Sequence, residues 1–188
     1  MNHLQHKLSN VRRLAAAACM ALCAACPAAA QRIGFKTNAL YWAAASPNLG
    51  LELRVNRHMT FDIEGTYNRL DIGRYDTRAM IFTPEVRYWL SARPQAGHFV
   101  GAMGFAADYN IAIGDTRHKG DAFGAGITYG YSFVLSRHWS LELTAGAGMA
   151  YRHEKSFDKN GSEPEAVNVR KWQLAPMKAG VSFVYILK

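Results

Sequence analysis

From Phe123 to Tyr151 the chain alternates apolar with small or polar residues twice over, and few folds accommodate that pattern. Phe123, Ala125, Ile127, Tyr129, Tyr131, Phe133 and Leu135 alternate with Gly124, Gly126, Thr128, Gly130, Ser132 and Val134. Ser136-Arg137-His138 interrupts the run. Trp139, Leu141, Leu143, Ala145, Ala147, Met149 and Tyr151 then alternate with Ser140, Glu142, Thr144, Gly146, Gly148 and Ala150. A period of two places each set on its own face of a sheet. Each arm is 13 residues long, or roughly 43 Å at about 3.3 Å per residue. Tilted by about 40°, such an arm still crosses the roughly 30 Å of hydrocarbon in a bilayer. The second face, made of Gly, Ser, Thr and Glu142, is poor material for a dry core and suits a narrow polar lumen. The pair reads as a transmembrane β-hairpin.

The N-terminus supplies the reason to expect export. His3, Lys7, Arg12 and Arg13 precede an apolar run of about 13 residues, Leu14 to Cys26, and Pro27-Ala28-Ala29-Ala30 follows. A basic region, a short apolar region and an Ala-x-Ala ending are the three parts of a secretory signal peptide, with cleavage expected after Ala30. A transmembrane helix would need about 20 apolar residues, and the run stops short of that. Lipoprotein processing at Cys26 is the alternative, with Leu22 and small residues upstream but Cys23 in an unusual place for it.

Cleavage after Ala30 divides the chain into a signal peptide, 1–30, and one domain, 31–188. It removes Cys19, Cys23 and Cys26, so neither disulfides nor thiolate metal sites remain. Lys7, Arg12 and Arg13 leave with it, taking the 22 basic residues to 19 against 14 acids, a net charge of about +5. For an exported chain that balance argues against nucleic acid and for anionic lipid head groups as the natural partner.

The same alternation places eight strands. The first is expected over Arg32 to Ala44, with Ile33, Phe35, Ala39 and Tyr41 opposite Lys36 and Asn38. Leu49, Leu51, Leu53 and Val55 form the next apolar face, then Met59, Phe61, Ile63 and Tyr67, then Met80, Phe82, Val86, Tyr88 and Leu90. The fifth reads with Phe99, Met103, Phe105 and Tyr109 outward against His98, Gly104, Asp108 and Asn110. The opening hairpin supplies the sixth and seventh. The eighth runs from about Trp172 to Leu187, with Met177, Ala179, Val181, Phe183, Tyr185 and Leu187 outward. Polar loops are expected at Arg69 to Arg78, Ile111 to Gly120 and His153 to Lys171. Asn56-Arg57-His58, Ser91 to Gly97 and Ser136-Arg137-His138 read as short turns. Short periplasmic turns alternating with longer outer loops describe a bacterial outer-membrane barrel. The expected fold is therefore all-β, an eight-stranded antiparallel up-and-down transmembrane β-barrel.

Nine charged residues fall mid-strand on the face opposite the apolar one: Lys36, Glu52, Arg54, Asp62, Glu64, Glu85, Arg87, Glu142 and Lys178. Four bases against five acids are expected to form one buried ion-pair network in a lumen too narrow to be a pore. A soluble lipocalin-like barrel would wear the same residues on its outside. The signal peptide, the strand lengths and aromatics near strand ends (Tyr41, Tyr67, Tyr88, Trp139, Tyr151, Tyr185) favour the membrane.

Five segments also stand in a familiar order: Lys36-Thr37-Asn38-Ala39-Leu40-Tyr41, Pro47 to Glu52, Pro84 to Trp89, Gly97 to Gly101 and Pro176 to Ser182. Together they resemble an uncharacterised family of exported Bacteroidota proteins, known only as a domain of unknown function. The resemblance implies an outer-membrane β-barrel associated with fimbrial or envelope assembly, with a surface or fimbrial protein as partner. It implies no catalytic residues.

No chemistry stands out from the spacing. His153, Glu154 and Ser156 would suit a lipid-A-type hydrolase at the outer rim, but successive residues of a strand point to opposite faces. His58, His98, His118, His138 and His153 show no metal-ligand spacing. The glycine-rich runs Gly97 to Gly104 and Gly120 to Gly130 lack the Lys-Ser/Thr of a phosphate loop. The reading is a structural or surface-interaction barrel, without catalysis, cofactor or metal.

Overall fold

The computed structural model describes residues 32–187 apart from 73–74, 114–115 and 159–168. The expected signal peptide lies outside those residues. Within them run β1 (Ile33–Asn38), the short helix α1 (Ala39–Ala43), β2 (Asn48–Arg54), β3 (Met59–Ile72), β4 (Tyr75–Trp89), β5 (Gly97–Ile113), β6 (Thr116–Val134), β7 (Trp139–Asp158) and β8 (Val169–Leu187). Each strand pairs antiparallel with the next, and β1 pairs with β8, from Ile33 opposite Leu187 to Asn38 opposite Ser182. The sheet is a closed, up-and-down barrel with no free edge, the arrangement that abolishes an exposed row of backbone donors and acceptors.

The two faces are partitioned opposite to those of a water-soluble barrel. Ile127, Leu174, Met80 and Leu49 are largely exposed on the outer wall, while Arg87 and Asp62 have no exposure at all. Aromatic residues gather at two levels of that wall. Trp139 packs edge-on against Tyr185 at 5.0 Å, and higher up Tyr151 packs between Phe123 at 5.3 Å and Trp172 at 5.1 Å. From Trp139 to Tyr151 is about 40 Å along β7, or about 30 Å along the barrel axis at a tilt near 40°.

At one end the turns are tight, and two of them are built alike. Asn56 Oδ1 accepts from the backbone N–H groups of His58 and Met59, and Ser136 Oγ accepts from those of His138 and Trp139. Each histidine then stacks on a tyrosine of the neighbouring strand, His58 on Tyr88 and His138 on Tyr185. A short side-chain acceptor in the first turn position holds both hairpins in the same geometry.

Four expectations are corrected. The first strand ends at Asn38, not Ala44. The Asn38 side chain accepts from the Leu40 N–H at 3.1 Å and caps α1, whose Ala-Leu-Tyr-Trp-Ala sequence is free of the glycine or proline that would oppose a helical turn. The strand β5 is turned inside out relative to the reading. Phe99 is wholly buried and Met103 nearly so, while His98 faces outward beneath Tyr129. The cause is complementarity with β6, whose lumen face is glycine-rich: a Cβ at Gly130 would collide with the Phe99 ring, and one at Gly124 would meet Phe105. Bulky β5 side chains occupy the volume that β6 leaves empty.

The third correction is at Met177. The β7–β8 register shifts between Gly146, opposite Lys178, and Ala147, opposite Pro176. The extra residue is a β-bulge, placed where Pro176 has no N–H to give the ladder. It turns Met177 inward, so that its Sδ stands where a Cβ of Gly126 or Gly148 would lie. Finally, much of the first two expected loops and both ends of the third are strand, residues 159–168 of the third lying outside the described residues. Described pairing continues to Ile72 opposite Tyr75, Ile113 opposite Thr116, and Glu154 opposite Val169. Polar sequence on both faces was read as loop, but hairpins that rise clear of an apolar band have no apolar face to show.

Candidate functional site

Inward residues of β1, β2, β3, β4, β7 and β8 converge on Arg87. Its Nη2 lies 2.9 Å from Glu85 and 3.2 Å from Asp62, and its Nη1 lies 3.0 Å from Glu142 and 3.5 Å from Glu52. Its guanidinium sits 4.5 Å over the centroid of the Phe99 ring, a cation–π contact worth about 1–2 kcal/mol when water is excluded. Lys36 reaches Asp62 at 2.6 Å and Glu142 at 3.6 Å. Lys178 reaches Glu85 at 2.8 Å, Glu64 at 3.3 Å and Asp62 at 3.6 Å. Neutral donors add to the shell: Thr128 to Glu85, Thr144 to Glu142 at 3.0 Å and the Asn48 amide to Glu64 at 2.7 Å.

Eight of the nine charged residues picked out by alternation thus meet in one cluster. The exception, Arg54, lies at the rim, where its Nε donates to the Asn56 carbonyl at 3.1 Å. It is the last residue of β2, half-buried at the end of the barrel and away from the cluster. Without it the cluster holds three bases and five acids, an excess of acid that only the surrounding hydroxyl and amide donors offset.

Beneath the cluster the lumen is closed by packing. Trp89 and Phe99 are wholly buried with ring centroids 4.8 Å apart, and the Trp89 Nε1 donates to Thr60 Oγ1 at 2.9 Å. Gln95, at φ 63° in the β4–β5 turn, is buried and its carbonyl accepts from Ser132 Oγ. Sequence reasoning missed this floor because it placed Phe99 outside.

Above the apolar band a second polar group surrounds Glu154. Tyr109 donates its hydroxyl to that buried carboxylate, Arg152 lies 3.1 Å away and His118 Nδ1 3.4 Å away. His153 and Glu154 diverge, because β7 has not ended there: His153 faces outward toward Asp121 at 3.8 Å. The histidine that joins Glu154 is His118, which stands opposite Ser156 in the β6–β7 register. The pairing of β6 with β7 continues to Thr116 and so brings His118 there, ahead of the alternation that begins at Phe123. Among the described residues no group of three or more His, Cys, Asp or Glu side chains is arranged to hold a metal ion.

A closed eight-stranded barrel with an apolar outer wall and a charged, plugged interior is the class of protein these observations define. The chain belongs to the family described as a protein of unknown function (DUF3575), whose model matches residues 16–187. No curated protein matches it, and neither does any solved structure.

Proposed function

We propose that this chain is a small outer-membrane β-barrel of the Bacteroidota type, a structural or surface-interaction protein with no catalytic role. The observation that carries the reading is the inverted partition: charge in the lumen, large apolar side chains on the wall between two aromatic levels about 30 Å apart. In water that wall would be one contiguous apolar patch far beyond the few hundred Å² that soluble monomers expose. A bilayer turns the same wall into the lipid-facing surface. No described helix is long and apolar enough to cross a membrane; in this reading the strands do so. The upper hairpins, with Asp108, Asp121, His153 and Arg170 outside, reach beyond the band and present polar surface to a surface or fimbrial protein.

Cell fractionation with gel mobility tests the location. The protein is expected in the outer-membrane fraction, and to migrate faster unboiled than boiled, as detergent-resistant closed barrels do. Recovery as a soluble, detergent-free periplasmic protein would overturn the reading.

A second reading, hydrolysis of a lipid ester at the outer rim, is favoured by one observation: Glu154 orients His118 through Nδ1, and Ser156 is the cross-strand neighbour of His118. Comparing the lipids of cells with and without the gene separates the two readings, since only a hydrolase changes acyl-chain number.

A further inference from the structure

Between the charged cluster and the Glu154 group lies a partly enclosed cavity of about 150 Å³. No charged side chain lines it. Ile81, Phe105, Ala150, Pro176 and Met177 form much of its wall, and the hydroxyl-bearing side chains of Tyr41, Thr66 and Thr83 complete it. One inward step below Thr83 is Glu85, and one inward step above Ala150 is Arg152, so both axial exits pass through ion-paired groups. A polar solute entering along the axis would have to break those pairs.

The side wall is different. Among the described pairings the hydrogen-bonded ladder is interrupted at two places, each at a proline; Thr83 beside the first and Pro176 at the second line this cavity. Along β4–β5 the partners step from Phe82 opposite Ala106 to Glu85 opposite Met103, passing over Thr83 and Pro84. Outside that gap Gly104 offers no side chain, and a Cβ there would find Pro84 no closer than 3.8 Å. Along β7–β8 the second interruption is the bulge at Pro176, opposite Ala147. Pro176 is exposed on the outer wall and also lines the cavity, so one proline ring separates the cavity from the barrel's surroundings. A proline supplies no N–H to zip the wall shut across it.

We propose that this cavity is a lipid-chain site: the end of a hydrocarbon chain enters from the bilayer past Pro176 and lies against Phe105, Ile81 and Met177. The inference rests on the membrane reading above. A mostly apolar cavity of this size accepts a guest of roughly six carbon atoms, the terminal part of an acyl chain and not a whole lipid. The chain gains no hydrophobic energy on leaving other lipid tails. Its gain is the set of close contacts that the cavity walls otherwise lack. The flexible thioether of Met177, set inward by the bulge, adapts to chains of differing length and bend.

The test uses the protein purified from membranes and placed in phosphatidylcholine vesicles whose acyl chains end in a photoactivated diazirine. Mapping adducts by peptide mass spectrometry is expected to find them on outward residues such as Leu143 and Met149 and also on inward Phe105 and Met177. Ala150→Phe fills the cavity and is expected to abolish the inward adducts while leaving the outward ones. Ala175→Leu serves the same end from the neighbouring strand β8 if the first variant does not fold. Adducts on outward residues alone, or inward adducts unchanged in a folded cavity-filling variant, would overturn the lipid-chain site and leave the membrane reading standing. Adducts on neither face would overturn the membrane reading itself.

Discussion

Arg87 contacts four carboxylates and an aromatic ring from a position without exposure, two carboxylates through each terminal nitrogen and the ring through the face of the guanidinium. Lysine could not reproduce this fork with a single ammonium. The carboxylates around it are not equivalent. Glu85 makes close ion pairs to both Arg87 at 2.9 Å and Lys178 at 2.8 Å, whereas Glu52 has only the 3.5 Å approach of Arg87 and an Oε1 without a partner. Three buried cations face five buried carboxylates, so neutralising the least-held acid relieves repulsion while neutralising the best-held one removes the closest partner of two cations at once. Glu85→Gln is therefore expected to lower unfolding stability by about 3–5 kcal/mol, the range for breaking a buried pair. Glu52→Gln should be neutral or stabilising. Urea titration of the folded barrel in detergent micelles checks both, and equal losses would mean the lumen is wet enough to level the two sites.

At the scale of elements, β5 and β6 show a constraint that residue types alone do not. Phe99 fits because Gly130 leaves its place empty, and a Cβ there would also meet the Leu143 carbonyl at 2.6 Å. Gly130→Val is expected to cost about 1–3 kcal/mol by overpacking, and adding Phe99→Leu should return part of that loss. Strict additivity in urea unfolding would show that the ring is not what the glycine accommodates. The same pair explains what the sequence made legible. Strand count, pairing order and the inward direction of Lys36, Glu52, Asp62, Glu64, Glu85, Arg87, Glu142 and Lys178 follow from a strict period of two. The facing of β5 does not, because Phe99 and Met103 are as apolar as the wall residues beside them, and only the glycines on a neighbouring strand decide their side. The bulge at Met177 was hidden for a related reason: one inserted residue shifts the phase within a strand whose ends both alternate correctly. The hairpin tops were misjudged where both faces are polar. Residues 159–168 join β7 to β8, and replacing them with a Gly/Ser linker of equal length removes no described strand residue. The unboiled gel mobility should stay that of the folded barrel. Loss of that mobility would mean the connection is part of the fold.

For the whole molecule the question is whether a closed barrel of this width conducts. Eight strands enclose a lumen that side chains can fill, and here they do so in three successive ways: the Trp89–Phe99 floor, the charged cluster around Arg87, and the Tyr109–Arg152–Glu154 group above. An ion passing along the axis would have to displace Arg87, which is held at once by Glu85, Glu142, Asp62 and the Phe99 face. Releasing it leaves several carboxylates buried without their principal partner, each a penalty of several kcal/mol. The barrel reconstituted into a planar bilayer is therefore expected to show no unitary conductance at voltages where open porins conduct. Enlarging the floor alone, by Trp89→Ala, should leave the bilayer tight, because the cluster above it is untouched. Adding Arg87→Ala and Arg152→Ala weakens both layers above the floor and should introduce a cation-selective leak, since Glu52, Asp62, Glu85 and Glu142 would then line an incomplete plug. Steady conductance from the unaltered protein would overturn the filled-lumen account and require a path around Arg87.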